Sequence, residues 1–188
     1  MSASRPASFE GDERVRLFCA LRLPDETLDA LVGWEQDAFG GVPGLRQVPR
    51  ENLHVTLAFL GHRPAADMEA IAGALRAAAA GVEPPRLTVD GYRETRSVGM
   101  LVLEDAGGRA SALASRLHGG LEGLGVYRRE PRAWLPHLTV ARWRERPRLQ
   151  PDLPSVGTFV PSDAAAYLSR LHPGGARYEV LESVALGG

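Results

Sequence analysis

Two short stretches of this chain place a histidine and a threonine on one side of an otherwise apolar strand. The first is NLHVTLAFLG, residues 52–61, and the second is PHLTVAR, residues 136–142. Side chains alternate across a strand, so each histidine shares a face with its own threonine. In the first stretch, the alternation predicts that Leu53, Val55, Leu57 and Phe59 share the opposite, core-facing side. Each strand therefore needs an apolar core on one face and accessible space on the other.

The elements predicted around these two strands suggest a loose internal duplication. Apolar residues at helical spacing predict helices over residues 24–41, 64–80 and 109–124. Alternating or continuous apolar runs predict further strands over residues 14–23, 86–94, 97–105, 163–171 and 176–186. The hairpin-like strand pairs favour an antiparallel α+β sheet over a parallel one. The two histidines, His54 and His137, are far enough apart to lie one in each half.

Two imidazoles and two hydroxyls in one cleft would suit the cleavage of a phosphate ester. Histidine titrates near pH 6.5, so one ring can accept a proton while the other donates one. On opposite sides of a phosphorus atom, the two rings could serve an in-line displacement without a metal. The hydroxyls of Thr56 and Thr139 could donate to the non-bridging oxygens and hold the reacting geometry.

Other kinds of catalytic site find little support in the sequence. Neither motif has a carboxylate or cysteine spaced to complete a zinc site, and the turn of a serine hydrolase is missing. The single cysteine, Cys19, lies in an apolar strand and is expected to be buried. All 22 basic residues are arginines, which excludes a ligase that works through a lysyl-adenylate.

Composition places few further limits on the chain. A hydrophobic content of 44% and a net charge of −1 are typical of a globular protein without an overall nucleic-acid-binding charge. We find no apolar run long enough for a membrane span and no secretory signal, so we expect a cytoplasmic protein. Residues 1–13 are predicted to be a disordered tail, and residues 14–188 a single domain. We expect a monomer.

The motifs and their surroundings resemble one known family. RLFCALRLP (residues 16–24), ENLHVTLAFLG, PHLTVAR and the ending SRLHPGGARYEVLESVAL resemble the two-histidine (2H) phosphoesterases. Within that superfamily they are most similar to the RNA 2′,3′-cyclic phosphodiesterases, also called LigT or 2′-5′ RNA ligases. The resemblance extends over about residues 14–186. It implies two pseudo-symmetric lobes, each with an antiparallel β-sheet and outer helices, around a central cleft.

The resemblance also implies roles for individual residues. His54 resembles the family's proton donor, His137 its proton acceptor, and Thr56 and Thr139 its phosphate-holding hydroxyls. Arg142 matches an arginine just after the second motif and is a candidate for binding the phosphate. Strict strand alternation would put Arg142 opposite His137, so this role requires the strand to twist or to end nearby. No metal or cofactor is implied.

The implied activity is hydrolysis of RNA 2′,3′-cyclic phosphate ends to a 2′-phosphate, together with reversible 2′-5′ RNA ligation. Alternative substrates of the same chemistry are a small cyclic nucleotide, an ADP-ribose cyclic phosphate or a 2′-5′ oligoadenylate. A protein that only binds RNA ends, without catalysis, is a further alternative. Six arginines flank the second motif and form either a solvated surface or a rim that attracts phosphate: Arg128, Arg129, Arg132, Arg144, Arg146 and Arg148.

Overall fold

Strands and helices alternate along residues 13–187, the part of the chain that the computed structural model describes. The α-helices are α1 (Asp25–Phe39), α2 (Met68–Ala79) and α3 (Arg109–Gly123), with short 3₁₀ turns at Arg50–Asn52 and Ala65–Asp67. The strands are β1 (Arg14–Leu21), β2 (Arg46–Gln47), β3 (Val55–Pro64), β4 (Arg86–Glu94), β5 (Val98–Ala106), β6 (His137–Arg142), β7 (Thr158–Phe159), β8 (Asp163–His172) and β9 (Gly175–Ala185). The predicted tail, residues 1–13, lies outside the described residues except for Glu13.

The strands form one antiparallel sheet made of two four-stranded halves. The order is β7-β4-β5-β6 followed by β3-β1-β8-β9, and the short strand β2 also pairs with β6. The halves meet where β3 and β6 pair through a single residue pair, Val55 with Leu138. The predicted α+β fold with two antiparallel halves is confirmed, and this one pair makes the two halves a continuous sheet.

The helices and one face of the sheet enclose the apolar core. The buried side chains of the helices include Leu31 of α1, Leu75 of α2 and Leu117 of α3, all fully buried. They belong to one cluster with Val55 and Leu138, the pair at which the halves meet. Burial of a leucine side chain stabilises a fold by about 1.5–3 kcal/mol. No helix among residues 13–187 is both long enough and apolar enough to cross a membrane.

A β-bulge follows each of the two motifs at the same position. In β3, Leu57 has no partner on β1, because Ala58 pairs with Cys19 and Thr56 with Ala20. In β6, Val140 is skipped in the pairing with β5 in the same way. An extra residue shifts the alternation of the strand beyond it. The residue five positions after each histidine is thereby turned away from the core.

This shift in alternation explains why the prediction for Phe59 is wrong. It also explains the position of Arg142. Phe59 was predicted to face the core, but the bulge turns its side chain away from the core, and it is 50% exposed. The equivalent residue in the second half is Arg142, which lies on the same side as Thr139 and lines the same cavity. Because of the bulge in β6, strand alternation no longer places Arg142 opposite His137.

Candidate active site

A cavity of about 740 Å³ lies on the strand face that is not covered by the helices. The first motif contributes His54 and Thr56 to its wall, and the second contributes Thr139 and Arg142. The wall also includes residues 46–49, Asn52 and the tip of the β8–β9 hairpin. Among the described residues, no aspartate or glutamate lines the cavity. The cavity is therefore suited to an anionic ligand.

The seam between the two halves brings the two motifs side by side. Val55 pairs with Leu138, so the next positions in the antiparallel register are His54 with Thr139, and Thr56 with His137. Each histidine thus neighbours the threonine of the other motif across the seam. His137 is partly exposed and does not itself line the cavity, although its charge acts on His54.

The two imidazoles are held in the same way. Nδ1 of His54 lies 2.7 Å from the carbonyl oxygen of Asn52, and Nδ1 of His137 lies 2.8 Å from that of Leu135. A carbonyl can only accept, so each Nδ1 carries the hydrogen and donates it. In the neutral form of either ring, Nε2 is therefore left as the acceptor. Nε2 of His54 lies 3.0 Å from the hydroxyl oxygen of Thr56, which donates to it.

Burial makes the imidazole of His54 a weak base. Its ring packs against Phe18, with ring centroids 4.9 Å apart, and edge-on against Tyr178 at 5.5 Å. Burial lowers the pKa of His54 to about 4; the hydrogen bond to Asn52 opposes this, while the charges of His137 and Arg142 add to it. In the unliganded protein, His54 is therefore neutral at pH 7.

Two side chains from the second half support the bulged part of β3. The indole Nε1 of Trp134 donates to the carbonyl of Thr56 at 3.1 Å, and Nε2 of the buried His118 donates to the carbonyl of Leu57 at 2.8 Å. These carbonyls lie just beyond the single residue pair that joins β3 to β6. Satisfying buried carbonyls in this way stabilises the bulge and, with it, the position of Thr56.

Phe59 is a cavity residue that sequence reasoning assigned to the core. It lines the cavity with its ring beneath the guanidinium of Arg16, which lies 4.8 Å from the ring centroid. Periodicity gave no signal for this placement, because the alternation of the strand assigns Phe59 to the core. Its equivalence with Arg142, five residues after each histidine, becomes visible only with the bulges.

The arginines flanking the second motif do not form a rim around this cavity. None of the six lines it. Arg129, Arg132 and Arg146 make ion pairs with Glu122, Glu130 and Glu94. The loop that begins at residue 144 is anchored by Glu94, whose carboxylate also accepts the backbone N–H groups of Arg148 and Leu149. These observations favour a surface and structural role for this arginine-rich segment.

The protonatable groups of the described residues do not assemble into a metal site. Residues 13–187 contain no group of three or more histidine, cysteine, aspartate or glutamate side chains able to hold a metal ion. Cys19 is fully buried, as predicted, and burial raises the pKa of its thiol to about 12. The thiol is therefore neutral and a poor nucleophile.

Comparison with known proteins assigns the chain to a family. The model of the 2′-5′ RNA ligase superfamily matches residues 23–172. The chain is 34% identical to the RNA 2′,3′-cyclic phosphodiesterase of Thermus thermophilus, an alignment that covers 93% of this chain and 91% of that protein.

Solved structures give the same result. The protein TT0787 of Thermus thermophilus superposes with a TM-score of 0.79 at 32% identity, covering 92% of this chain and 98% of the other. LigT of E. coli in complex with 3′-AMP superposes with a TM-score of 0.81 at 26% identity, covering 94% of this chain and 100% of the other. From its motifs, its fold and these similarities, the chain is an enzyme of the 2′-5′ RNA ligase superfamily, the two-histidine phosphoesterases.

Proposed function

We propose that this protein hydrolyses the 2′,3′-cyclic phosphate ends of RNA to 2′-phosphates, without a metal, by general acid–base catalysis with two histidines. The observation that carries the proposal is the meeting of the two His-x-Thr motifs at the Val55–Leu138 pair, beside a cavity that no aspartate or glutamate among residues 13–187 lines. The name of the Thermus relative supports the choice of substrate.

In the proposed reaction, the two imidazoles act through Nε2 on opposite sides of the phosphorus. Nε2 of His137 takes a proton from water as the water oxygen bonds to phosphorus. The bond between phosphorus and the ribose 3′ oxygen breaks, and Nε2 of His54 gives that oxygen a proton. The carbonyls of Asn52 and Leu135 hold the rings in the orientation that this transfer needs. With an RNA 5′-hydroxyl in place of water as the attacking group, the same displacement of the 3′ oxygen would form a 2′-5′ linkage.

For His54 to act as the acid, binding of the substrate must change the protonation state of the His54 imidazole. With a pKa of about 4, His54 is neutral before the substrate binds. A bound phosphate places a negative charge beside the ring and favours the imidazolium. We therefore propose that substrate binding is coupled to proton uptake by His54, so that the acid is charged only when a phosphate is present.

This coupling predicts a large shift in the titration of His54 when inorganic phosphate binds. The ring should titrate near pH 4 in the free protein and well above that value with saturating phosphate, as followed by the NMR shift of its Cε1–H group. The spectrum of His54→Gln assigns the signal. A folded-state pKa below the unfolded value of about 6.5 also means that His54 destabilises the fold as pH falls from 6.5 towards 4. A free-protein midpoint near 6.5, or one that phosphate leaves unmoved, would contradict the mechanism.

The remaining cavity residues have proposed roles in binding. Thr56 and Thr139 donate hydroxyl hydrogens to the non-bridging oxygens, and Arg142 donates charge-assisted hydrogen bonds to them. Phe59 presents an exposed ring in the same cavity, held under Arg16. An aromatic face of this kind can stack on an unpaired base.

Product mapping tests the proposal directly. A short RNA that ends in a 2′,3′-cyclic phosphate is incubated with the protein in EDTA, and the position of the remaining phosphate is identified by NMR. We expect full turnover and a 2′-phosphate, because none of the proposed steps uses a metal. Loss of activity that a divalent ion restores would overturn the metal-free mechanism. A 3′-phosphate product would mean that the bond between phosphorus and the ribose 2′ oxygen breaks instead.

A comparison of kcat/KM between substrates separates this function from its alternatives. A small cyclic nucleotide, an ADP-ribose cyclic phosphate and a 2′-5′ oligoadenylate would be cleaved by the same groups, so kcat/KM for each is compared with that for RNA. A protein that only binds RNA ends would show no turnover of any of them.

A further inference from the structure

Two arginines face each other at the end of the cavity where β2 joins β6. Arg46 and Arg142 are directly paired in the antiparallel register, and both line the cavity. Like charges directly opposite each other destabilise a sheet. A ligand charge that offsets this repulsion would account for the pairing.

No carboxylate among the described residues forms an ion pair with either arginine. Within residues 13–187, neither Arg46 nor Arg142 makes an ion pair, whereas eight other arginines do. Arg50, only four residues beyond Arg46, is held by Asp25 and Asp29 of α1. Asp25 and Asp29 therefore neutralise the nearby Arg50, but neither carboxylate lines the cavity.

The segment that carries Arg46 is fixed in place. The backbone N–H of Val48 donates to the carbonyl of Val140 at 2.9 Å, and the side-chain amide of Gln47 donates to the carbonyl of Glu35 at 2.9 Å. These bonds attach β2 to β6 on one side and to α1 on the other. The backbone that carries the two guanidinium groups is therefore held in place by hydrogen bonds on both sides.

The reacting group alone cannot satisfy both arginines. A 2′,3′-cyclic phosphate carries a single negative charge and two non-bridging oxygens, and the proposed function already places Thr56, Thr139 and Arg142 on them. Arg46 then remains as an unmatched positive charge in the same cavity. In an RNA substrate, the next negative charge is the phosphodiester on the 5′ side of the terminal nucleotide.

We propose that Arg46, beside Arg142, forms a subsite for an upstream phosphodiester, so that the preferred substrate is an RNA chain and not a mononucleotide. This inference rests on the proposed function and specifies its substrate. Arg46 would act in binding and not in the chemical step, since it is placed beside the reacting centre and not within the motifs.

The test compares three substrates with the same terminal nucleotide. Adenosine 2′,3′-cyclic phosphate, the dinucleotide and the trinucleotide that end in the same group are assayed with the wild-type protein and with Arg46→Gln. We expect wild-type kcat/KM to rise about tenfold when upstream phosphodiesters are added, as for one charge-assisted contact. Arg46→Gln should abolish that rise, mainly through KM, and leave mononucleotide hydrolysis within about twofold.

A neutral analogue tests the charge on the substrate side. Replacing the upstream phosphodiesters with uncharged methylphosphonates should lower the wild-type rate to that of Arg46→Gln, and the variant should be insensitive to the replacement. Such non-additivity identifies a direct interaction between the two groups. Arg50→Gln is the matched control, because its side chain is engaged by α1, and it should keep the full dependence on length.

The possible results are distinct. Equal wild-type kcat/KM for the three lengths, or an equal loss on all three in Arg46→Gln, would overturn the subsite and leave the proposed function intact. No wild-type turnover of any of the three would overturn the proposed function and the subsite with it. Retained mononucleotide hydrolysis in Arg46→Gln shows that the variant is folded.

Discussion

Replacement of His54 or His137 with alanine is expected to lower kcat on an RNA 2′,3′-cyclic phosphate by about 10²–10⁴. In the proposed mechanism each ring supplies one of the two proton transfers, and among the described residues that line the cavity the only other histidine is His172 of the hairpin. The double variant should lose little more than the worse single variant, because the two transfers belong to one step.

The controls for this prediction are histidines outside the seam. His62 lies exposed near the end of β3, eight residues from His54, and His62→Ala should retain wild-type kcat. His172→Ala tests the hairpin tip, where we expect a modest change in KM. If His54→Ala and His137→Ala turn over substrate at the wild-type rate while circular dichroism shows them folded, the two-histidine mechanism is wrong. No turnover by the wild type would favour the RNA-end binding alternative.

Replacement of Arg142 with alanine is expected to lower kcat by about 10²–10³, the usual cost of removing one donor to the charge that develops in a transition state. The guanidinium group can donate two hydrogen bonds to a phosphate in a fixed geometry, which a lysine ammonium does not reproduce. Arg142→Lys should therefore recover only part of the lost rate.

Arg144→Ala is the matched control for Arg142→Ala. It removes an exposed arginine two positions away that does not line the cavity. Its kcat should equal that of the wild type at moderate salt. A loss of similar size in both variants would indicate that Arg142 acts through general surface charge, and its proposed contact with the phosphate would be rejected.

Most elements of the fold could be predicted from periodicity, because the core imposes it. The three helices were predicted to within a few residues of their ends, for example 109–124 against Arg109–Gly123 for α3. The strands β2 and β7 were missed, since two residues are too few to show alternation. They are nonetheless important for the site, because β2 places Arg46 opposite Arg142.

Local sequence was enough to show that two strands each carry a histidine and a threonine on one face, because side-chain alternation depends only on neighbouring residues. It also supplied the family resemblance. Where those faces meet depends on long-range strand pairing, through the single pair Val55–Leu138. The pairing of β3 with β1 and of β6 with β5 turns Phe59 and Arg142 into the cavity, since a bulge depends on which partner residues a strand contacts. The burial that lowers the pKa of His54 likewise comes from rings distant in sequence, such as Tyr178.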